Sequence, residues 1–290
     1  MKSEPALVLP ENEGALMPIS DGDFNAIRDM VYKSFGISLS DQKRALVVGR
    51  LQPLLRQRRL NGFQEYIDFV RKDASGAALS ELADRISTNH THFFREPDHF
   101  SFLTERVLPE VVESARRKND RDLRFWCAAC SSGEEAYTLQ ISIMEHLGSD
   151  YQNWNAGLLA TDISDRVLTI ARNAVYSEDR LHGVPDSVRK RYFSKVDGDS
   201  YRIVDTVRKE VLFRRFNLMN TRFPFNKQFH FIFCRNVMIY FDIPTREALV
   251  RRFAEHLVPG GYLFIGHSES LSSLNVPLQY VQPAVYQKKA

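Results

Sequence analysis

The sequence predicts an α/β domain with a mainly parallel sheet and a small antiparallel β insertion, preceded by an all-α domain. Three observations carry this expectation. After Arg95, apolar strand-like runs alternate with amphipathic helical stretches, the rhythm of parallel strands joined by helical crossovers. From residue 20 to about 88, apolar positions recur at steps of three and four, the spacing of helices. Between Tyr192 and Phe216 the short pieces YFSKV, SYRIV and VLFRRF alternate with period two about Asp197-Gly198-Asp199, which reads as a small antiparallel unit of about 192–216.

Taken in order, residues 1–19 are rich in Pro, Glu, Asn and Gly and read as a flexible tail, without the basic and apolar regions of a secretory signal. Ser20 with Asp23 opens a helix whose stripe is Phe24, Ile27, Met30, Val31 and Phe35, and Gly36 stops it. A second helix starts near Asp41 and is expected to kink or divide at Pro53, because proline clashes with the carbonyl one turn back. FQEYIDFVRK and LSELADRI complete a helical domain of 20–88. A linker, 89–96, leads to the α/β domain of 97–290. There Pro97 opens a helix, LRFWCA, GLLATD, FHFIFC and YLFIG read as strands, and Glu134–His146, Asp165–Asn173 and TREALVRRFAEHL read as helices.

Composition narrows the function. Hydrophobic residues make up 43% of the 290, which suits a globular core. No window approaches the roughly 20 apolar residues of a membrane span, so no direct membrane insertion is expected. Three cysteines do not make a disulfide framework and favour a reducing cytoplasm. The net charge of +3 is too small to announce a nucleic-acid binder. It is unevenly spread, however: Gln42 to Gln64 holds no acidic residue, while Lys43, Arg44, Arg50, Arg56, Arg58 and Arg59 are basic. That face is either solvated or a dock for an acidic partner.

Ligands of open α/β sheets sit beyond the carboxyl ends of the strands, at a topological switch point. Three segments should meet there. In RFWCAACSSGEEAY the small residues Ala128 to Gly133 admit close backbone approach, but Glu134 and Glu135 oppose a phosphate and favour a ligand bearing a cation or hydroxyls. Asp162 ends GLLATD, where a Rossmann-like fold holds ribose hydroxyls; helix N-capping is the alternative, with Ser164 competing for it. In FIFCRNVMIYF, Cys234-Arg235-Asn236 follows a strand and Tyr240 lies beyond. His90-x-His92 lacks further ligands nearby for a metal site. Cys127-Ala-Ala-Cys130 reads as core rather than redox motif.

An acidic residue after the second strand and the PGG turn before a late strand are similar to class I S-adenosylmethionine-dependent methyltransferases. More specifically, TNHTHFFRE, SSGEEAY, ATDIS and CRNVMIYFD resemble the chemotaxis receptor glutamate methyltransferases, the CheR family, over roughly residues 20–288. The resemblance implies a Rossmann-like domain and S-adenosylmethionine as cofactor, with S-adenosylhomocysteine as product and no metal. It implies that Asn89, Thr91 and Arg95 contact the cofactor from the linker, with Glu134, Asp162, Asn217, Leu218, Cys234 and Arg235 around it. Arg95 and Tyr240 would flank the transferred methyl group, and Phe93 and Phe94 would pack the linker against the α/β domain.

The implied acceptors are glutamates in the cytoplasmic helical bundle of methyl-accepting chemotaxis receptors, met at membrane arrays by a cytoplasmic enzyme. Arg50, Arg56 and Arg59 become candidates for that contact. A glutamate with a pKa of about 4.3 is already ionised near pH 7, so the absence of a catalytic triad is expected. Some relatives hold a receptor C-terminal pentapeptide on the β insertion through a longer glycine-containing loop. SKVDGDSYRIV is shorter, which predicts independence from that tether. The rival readings are a nucleic-acid methyltransferase, for which the usual Asp/Asn-Pro-Pro-aromatic or Pro-Cys motifs are missing, and a non-catalytic cofactor-binding scaffold. Receptor-like proteins of another pathway would fit the same chemistry. A monomer is expected, since no heptad run appears.

Overall fold

The computed structural model describes residues 17–87 and 90–289, which fall into two compact units. The first comprises residues up to Tyr32 together with Leu39–Ile86. Helix α1, Asp21–Phe35, begins where Ser20 Oγ accepts the Asp23 amide at 3.0 Å, a side-chain cap for an otherwise orphan donor. A 3-10 turn at Asp41–Lys43 leads into α2, Arg44–Gln57, followed by α3, Phe63–Lys72, and α4, Ala77–Ile86. Their apolar stripes meet: Phe24, Ile27, Val31, Val47, Leu51, Tyr66, Ile67 and Leu82 are all fully buried. Pro53 does not divide α2, which is helical on both sides of it.

The second unit takes Lys33–Ser38 and the chain from Ser87 onward. Helices α5, Pro97–Phe102, and α6, Leu108–Arg117, are continuous through a π turn at Leu103–Val107. The strands are β1 Phe125–Ala128, β2 Leu158–Asp162, β3 Val175–Ser177, β4 Phe193–Asp197, β5 Ser200–Ile203, β6 Val211–Arg215, β7 Phe229–Cys234, β8 Leu257–Phe264, β9 Leu278–Gln282 and β10 Val285–Lys288. Seven form one sheet in the order β6-β2-β1-β7-β8-β10-β9. The first five in that order run parallel, and β10 runs antiparallel to both of its neighbours, β8 and β9. Helices α7 Glu134–Leu147, α8 Asp165–Asn173, α9 Asp186–Tyr192, α10 Asp205–Arg208 and α11 Ile243–His256 fill the connections. Strand order reverses between β1 and β7, which locates the crevice where such sheets bind ligands.

The small antiparallel sheet exists, in the order β3-β5-β4, and its β4–β5 hairpin turns at Gly198 with φ +50°. Its membership differs from the sequence expectation of 192–216. VLFRRF is not part of it: β6 pairs parallel with β2 at the edge of the large sheet. Val211 and Phe213 are buried while Leu212 is exposed, so an edge strand of a parallel sheet gives the same period-two signal as a hairpin. The third strand is instead Val175–Ser177, too short to show a period.

A histidine is among the polar side chains that enter the α/β core. His99 on α5 is fully buried, its ring edge-on to Phe264 at 5.7 Å and Phe233 at 6.4 Å, with His267 at 4.6 Å. Burial, and then the charge of Arg235, push its pKa down to about 3. Unfolded histidine titrates near 6.5. The folded value is lower, so stability is whole above about pH 6.5 and is lost as pH falls, at up to about 1.4 kcal/mol per pH unit. Between pH 6.5 and 5 this amounts to ~2 kcal/mol. Urea unfolding across that range should show the decline, and His99→Phe should flatten it. An unchanged slope in the variant would show that His99 is not the group responsible.

Candidate cofactor and acceptor site

The loop after β1 is bent by a series of left-handed residues: Ala129 at φ +62°, Ser131 at +49° and Gly133 at +98°. For non-glycine residues this conformation costs of order 1–3 kcal/mol each, so neighbours must hold it. Tyr176 on β3 does so, donating from its hydroxyl to the Ser132 carbonyl at 2.7 Å. A Cβ on Gly133 would come within 2.9 Å of Ala171 Cβ and 3.0 Å of Tyr176 Oη, so glycine is required for both φ and space.

Asp162, at the carboxyl end of β2, accepts the Ser131 amide at 2.8 Å and the Ser164 amide at 3.0 Å. It is not the cap of α8. That role is Ser164's, whose Oγ accepts from the Val167 amide at 3.3 Å. The two amides orient the carboxylate at the strand end, and a carboxylate is an acceptor for donors such as sugar hydroxyls. Ser131 Oγ, on the same loop, is buried without a hydrogen-bond partner. An oriented carboxylate, an orphan hydroxyl and small residues around them fit a nucleoside cofactor.

The two glutamates that open α7 diverge. Glu134 is fully buried and accepts from Ser132 Oγ at 2.7 Å and from the Arg180 guanidinium. Glu135 turns inward to Arg235, with Oε2 2.9 Å from Nη1, while its Oε1 accepts the Cys127 thiol at 3.3 Å. Burial raises the Glu135 pKa, and Arg235 opposes that rise.

Arg235 is therefore a brace rather than a group open to ligand. Its side chain is 0% exposed, and it also meets Glu96 Oε2 at 2.9 Å and the Arg95 carbonyl at 2.6 Å. Glu96 takes further donors, Asn236 Nδ2 at 3.2 Å and the His267 amide at 3.2 Å. Burial works against its charge, but Arg235 and the Asn236 hydrogen bond outweigh that and hold its pKa below the usual range. Glu269 fixes the same loop, accepting the amides of Gly266 at 2.6 Å, Asn236 at 3.0 Å and Ile239 at 3.2 Å.

On the linker, Thr91 and Arg95 are half-buried, and Arg95 Nη1 donates to the His90 carbonyl at 2.9 Å. Asn89 lies outside the described residues. Phe93 is buried edge-on to Tyr176 and Phe193, at 5.0 and 5.2 Å, so it packs the linker against the small sheet; Phe94 lies against Phe100 at 5.7 Å. Tyr240 occupies the 3-10 turn Met238–Tyr240, and its carbonyl accepts the Ser38 amide at 2.7 Å. Asn217 and Leu218 follow β6. The Asn217 amide group is engaged locally, donating to the Ser34 carbonyl at 2.8 Å and accepting the Met219 amide at 2.9 Å, and Leu218 is buried.

Cys234 is a core residue at the end of β7, fully buried beside Ala128. Burial pushes its thiol pKa, and those of Cys127 and Cys130, well up. Such thiols are poor nucleophiles, which agrees with reading CxxC as packing. The rings of His90 and His92 are 6.0 Å apart. Among the described residues, the trio with three potential ligand atoms within 4.8 Å of one another is Glu96, His99 and His267, but Glu96 is already committed to Arg235, Asn236 and the His267 amide. Sequence reasoning missed Glu96, Arg180 and Glu269, and the pairing of Glu135 with Arg235. Charged residue types at strand ends were visible, but their pairings over long sequence separations were not.

Comparison with known proteins agrees with this arrangement. Residues 22–87 match the model of the CheR methyltransferase all-alpha domain, and residues 89–286 that of the CheR methyltransferase SAM binding domain. A chemotaxis protein methyltransferase of Borreliella burgdorferi is 42% identical over 93% of this chain and 95% of its own length. Chemotaxis protein methyltransferase 2 of Pseudomonas aeruginosa is 38% identical, covering 91% and 92%. A chemotaxis protein methyltransferase of Escherichia coli is 35% identical, covering 89% and 87%. The chain belongs to the CheR family of S-adenosylmethionine-dependent methyltransferases.

Proposed function

We propose that this chain methylates glutamate side chains of methyl-accepting chemotaxis receptors, forming methyl esters for sensory adaptation. The observation that carries the reading is the joining of the Arg95 linker to the loop bearing Tyr240. Arg235 and Glu96 tie the two backbones together beside the β1 loop. S-adenosylmethionine supplies a methyl group bound to a positively charged sulfur. Asp162 would hold its ribose, Glu134 its methionine ammonium, and Asn89, Thr91, Asn217 and Leu218 the remaining contacts. Cys234 and Arg235 would shape the wall rather than touch the cofactor directly.

The acceptor carboxylate is ionised near neutral pH, so the protein need not remove a proton. Arg95 can orient that carboxylate through its planar fork, beside Tyr240. Positioning of this kind contributes up to about 7–11 kcal/mol, and partial exclusion of water favours a reaction in which opposite charges cancel. No metal is assigned a part.

The helical unit offers the basic face to a glutamate-rich receptor bundle, where it would speed encounter. Arg56 and Arg59 are exposed. Arg50 is half-buried and its guanidinium donates to the Ile86 carbonyl, so it adds charge more than reach. The enzyme would act as a cytoplasmic monomer at receptor arrays and not on nucleic acid. No helix among the described residues is long and apolar enough to cross a membrane. A pentapeptide tether is not expected, given the short turn at Gly198.

Incubation with methyl-labelled S-adenosylmethionine and a receptor cytoplasmic fragment should label the fragment, with base releasing the label as methanol. DNA and RNA acceptors should stay unlabelled. Asp162→Ala should weaken cofactor binding about 10–100-fold, the worth of one or two hydrogen bonds to a charged group. Base-stable label, or label on nucleic acid, would contradict the proposal. Calorimetry with a receptor C-terminal pentapeptide should show no binding in the low micromolar range, about −8 kcal/mol; such binding would overturn the untethered reading.

A further inference from the structure

Arg180 takes no part in the reading above, yet it reaches the same loop. It lies in the 3-10 turn Glu178–Leu181 after β3. Its Nη1 donates to Glu134 Oε1 and, at 3.1 Å, to Ser132 Oγ. The two partners differ sharply in exposure: the Glu134 side chain is 0% exposed and that of Arg180 is 40% exposed. A fully buried carboxylate requires a cation beside it, because an unpaired buried charge is strongly disfavoured. Arg180 meets that need from the solvent side, on a short turn rather than from inside the core.

If Glu134 receives the α-ammonium of the cofactor's methionine portion, as proposed above, the α-carboxylate comes with it on the same carbon. That carboxylate would be repelled by Glu134 unless a cation stood against it. A guanidinium has five N–H donors in a planar fork that matches a carboxylate, and the bonds of Arg180 described here use one of its three nitrogens. We propose that Arg180 binds the α-carboxylate while Glu134 binds the α-ammonium, so that the pair recognises the zwitterionic end of S-adenosylmethionine. In the free protein the two side chains neutralise each other. With cofactor present, each takes the ligand charge opposite to its own. This leaves Arg95, whose Nη1 is anchored on the His90 carbonyl, for the acceptor glutamate.

The inference rests on the assignment of Glu134 to the ammonium, and the test separates the two. Calorimetry would compare S-adenosylmethionine with its decarboxylated analogue on the full chain. Arg180→Ala should raise the dissociation constant for S-adenosylmethionine about 10–100-fold, as expected for a charge-assisted fork. The same variant should bind the decarboxylated analogue as well as the wild type does, or more tightly. Arg180→Lys, which keeps charge without the fork, should fall between. Equal losses for both ligands, or none for either, would overturn the role of Arg180 while leaving the cofactor site standing. Failure of the wild type to bind S-adenosylmethionine would overturn both. If Arg180→Ala lowers the melting temperature, the comparison is made in the Glu134→Gln background, which removes the unpaired carboxylate and weakens binding of both ligands: there the additional loss caused by Arg180→Ala should be confined to the carboxylated ligand.

Discussion

The site depends on one buried cation. Arg235 lies at the end of β7 with its side chain wholly shielded from water, and binds Glu135, Glu96 and the Arg95 carbonyl. Three segments distant in sequence thus converge on one guanidinium: the first turn of α7, the linker and the β7 loop. Burying a charge in this way is expensive, and removing one partner from such a pair typically costs about 3–5 kcal/mol. The expense has a geometric return. Phe94, Glu96 and Asn236 adopt left-handed backbone conformations around the clamp, at φ +55°, +59° and +58°. Strain of that kind persists where surrounding contacts over-determine it. Glu269 supplies more of those contacts by gathering three backbone amides from two loops.

The second support is the small sheet. Its β3 strand places Tyr176 against the Ser132 carbonyl, and the turn that follows brings Arg180 to Glu134. Phe93 from the linker packs on Tyr176 and on Phe193 of β4. The β insertion is therefore bonded to the loop that would hold the cofactor.

Much of this was legible in the sequence because it is local. Asp165–Asn173 reads as a helix from its apolar steps and from Ser164 before it, and its observed bounds are the same. FHFIFC reads as a buried strand because it is continuously apolar and short. Asp162 could be singled out because a strand end followed by a helix has a limited set of uses for a carboxylate. The failures have physical causes too. Period two does not distinguish the edge strand Val211–Arg215 from a hairpin strand, and three residues at Val175–Ser177 carry no period at all. The family resemblance placed Arg235 around the cofactor, but only the fold reveals that Glu96 and Glu135 enclose it. A motif gives the place of a residue in the chain, whereas its role depends on partners up to 140 residues away.

The central claim is that loops at the ends of β1, β2 and β7, set by the Arg235 clamp, hold S-adenosylmethionine beside Arg95 and Tyr240. A crystal structure of the chain with S-adenosylhomocysteine tests it most directly. The account predicts ribose hydroxyls at hydrogen-bond distance from Asp162, about 2.5–3.0 Å. It also predicts the ligand sulfur facing the rim formed by Arg95 and Tyr240, with the Arg235 contacts to Glu96 and Glu135 intact. A ligand seated away from Asp162, or one that drew Arg235 out of its clamp, would contradict it.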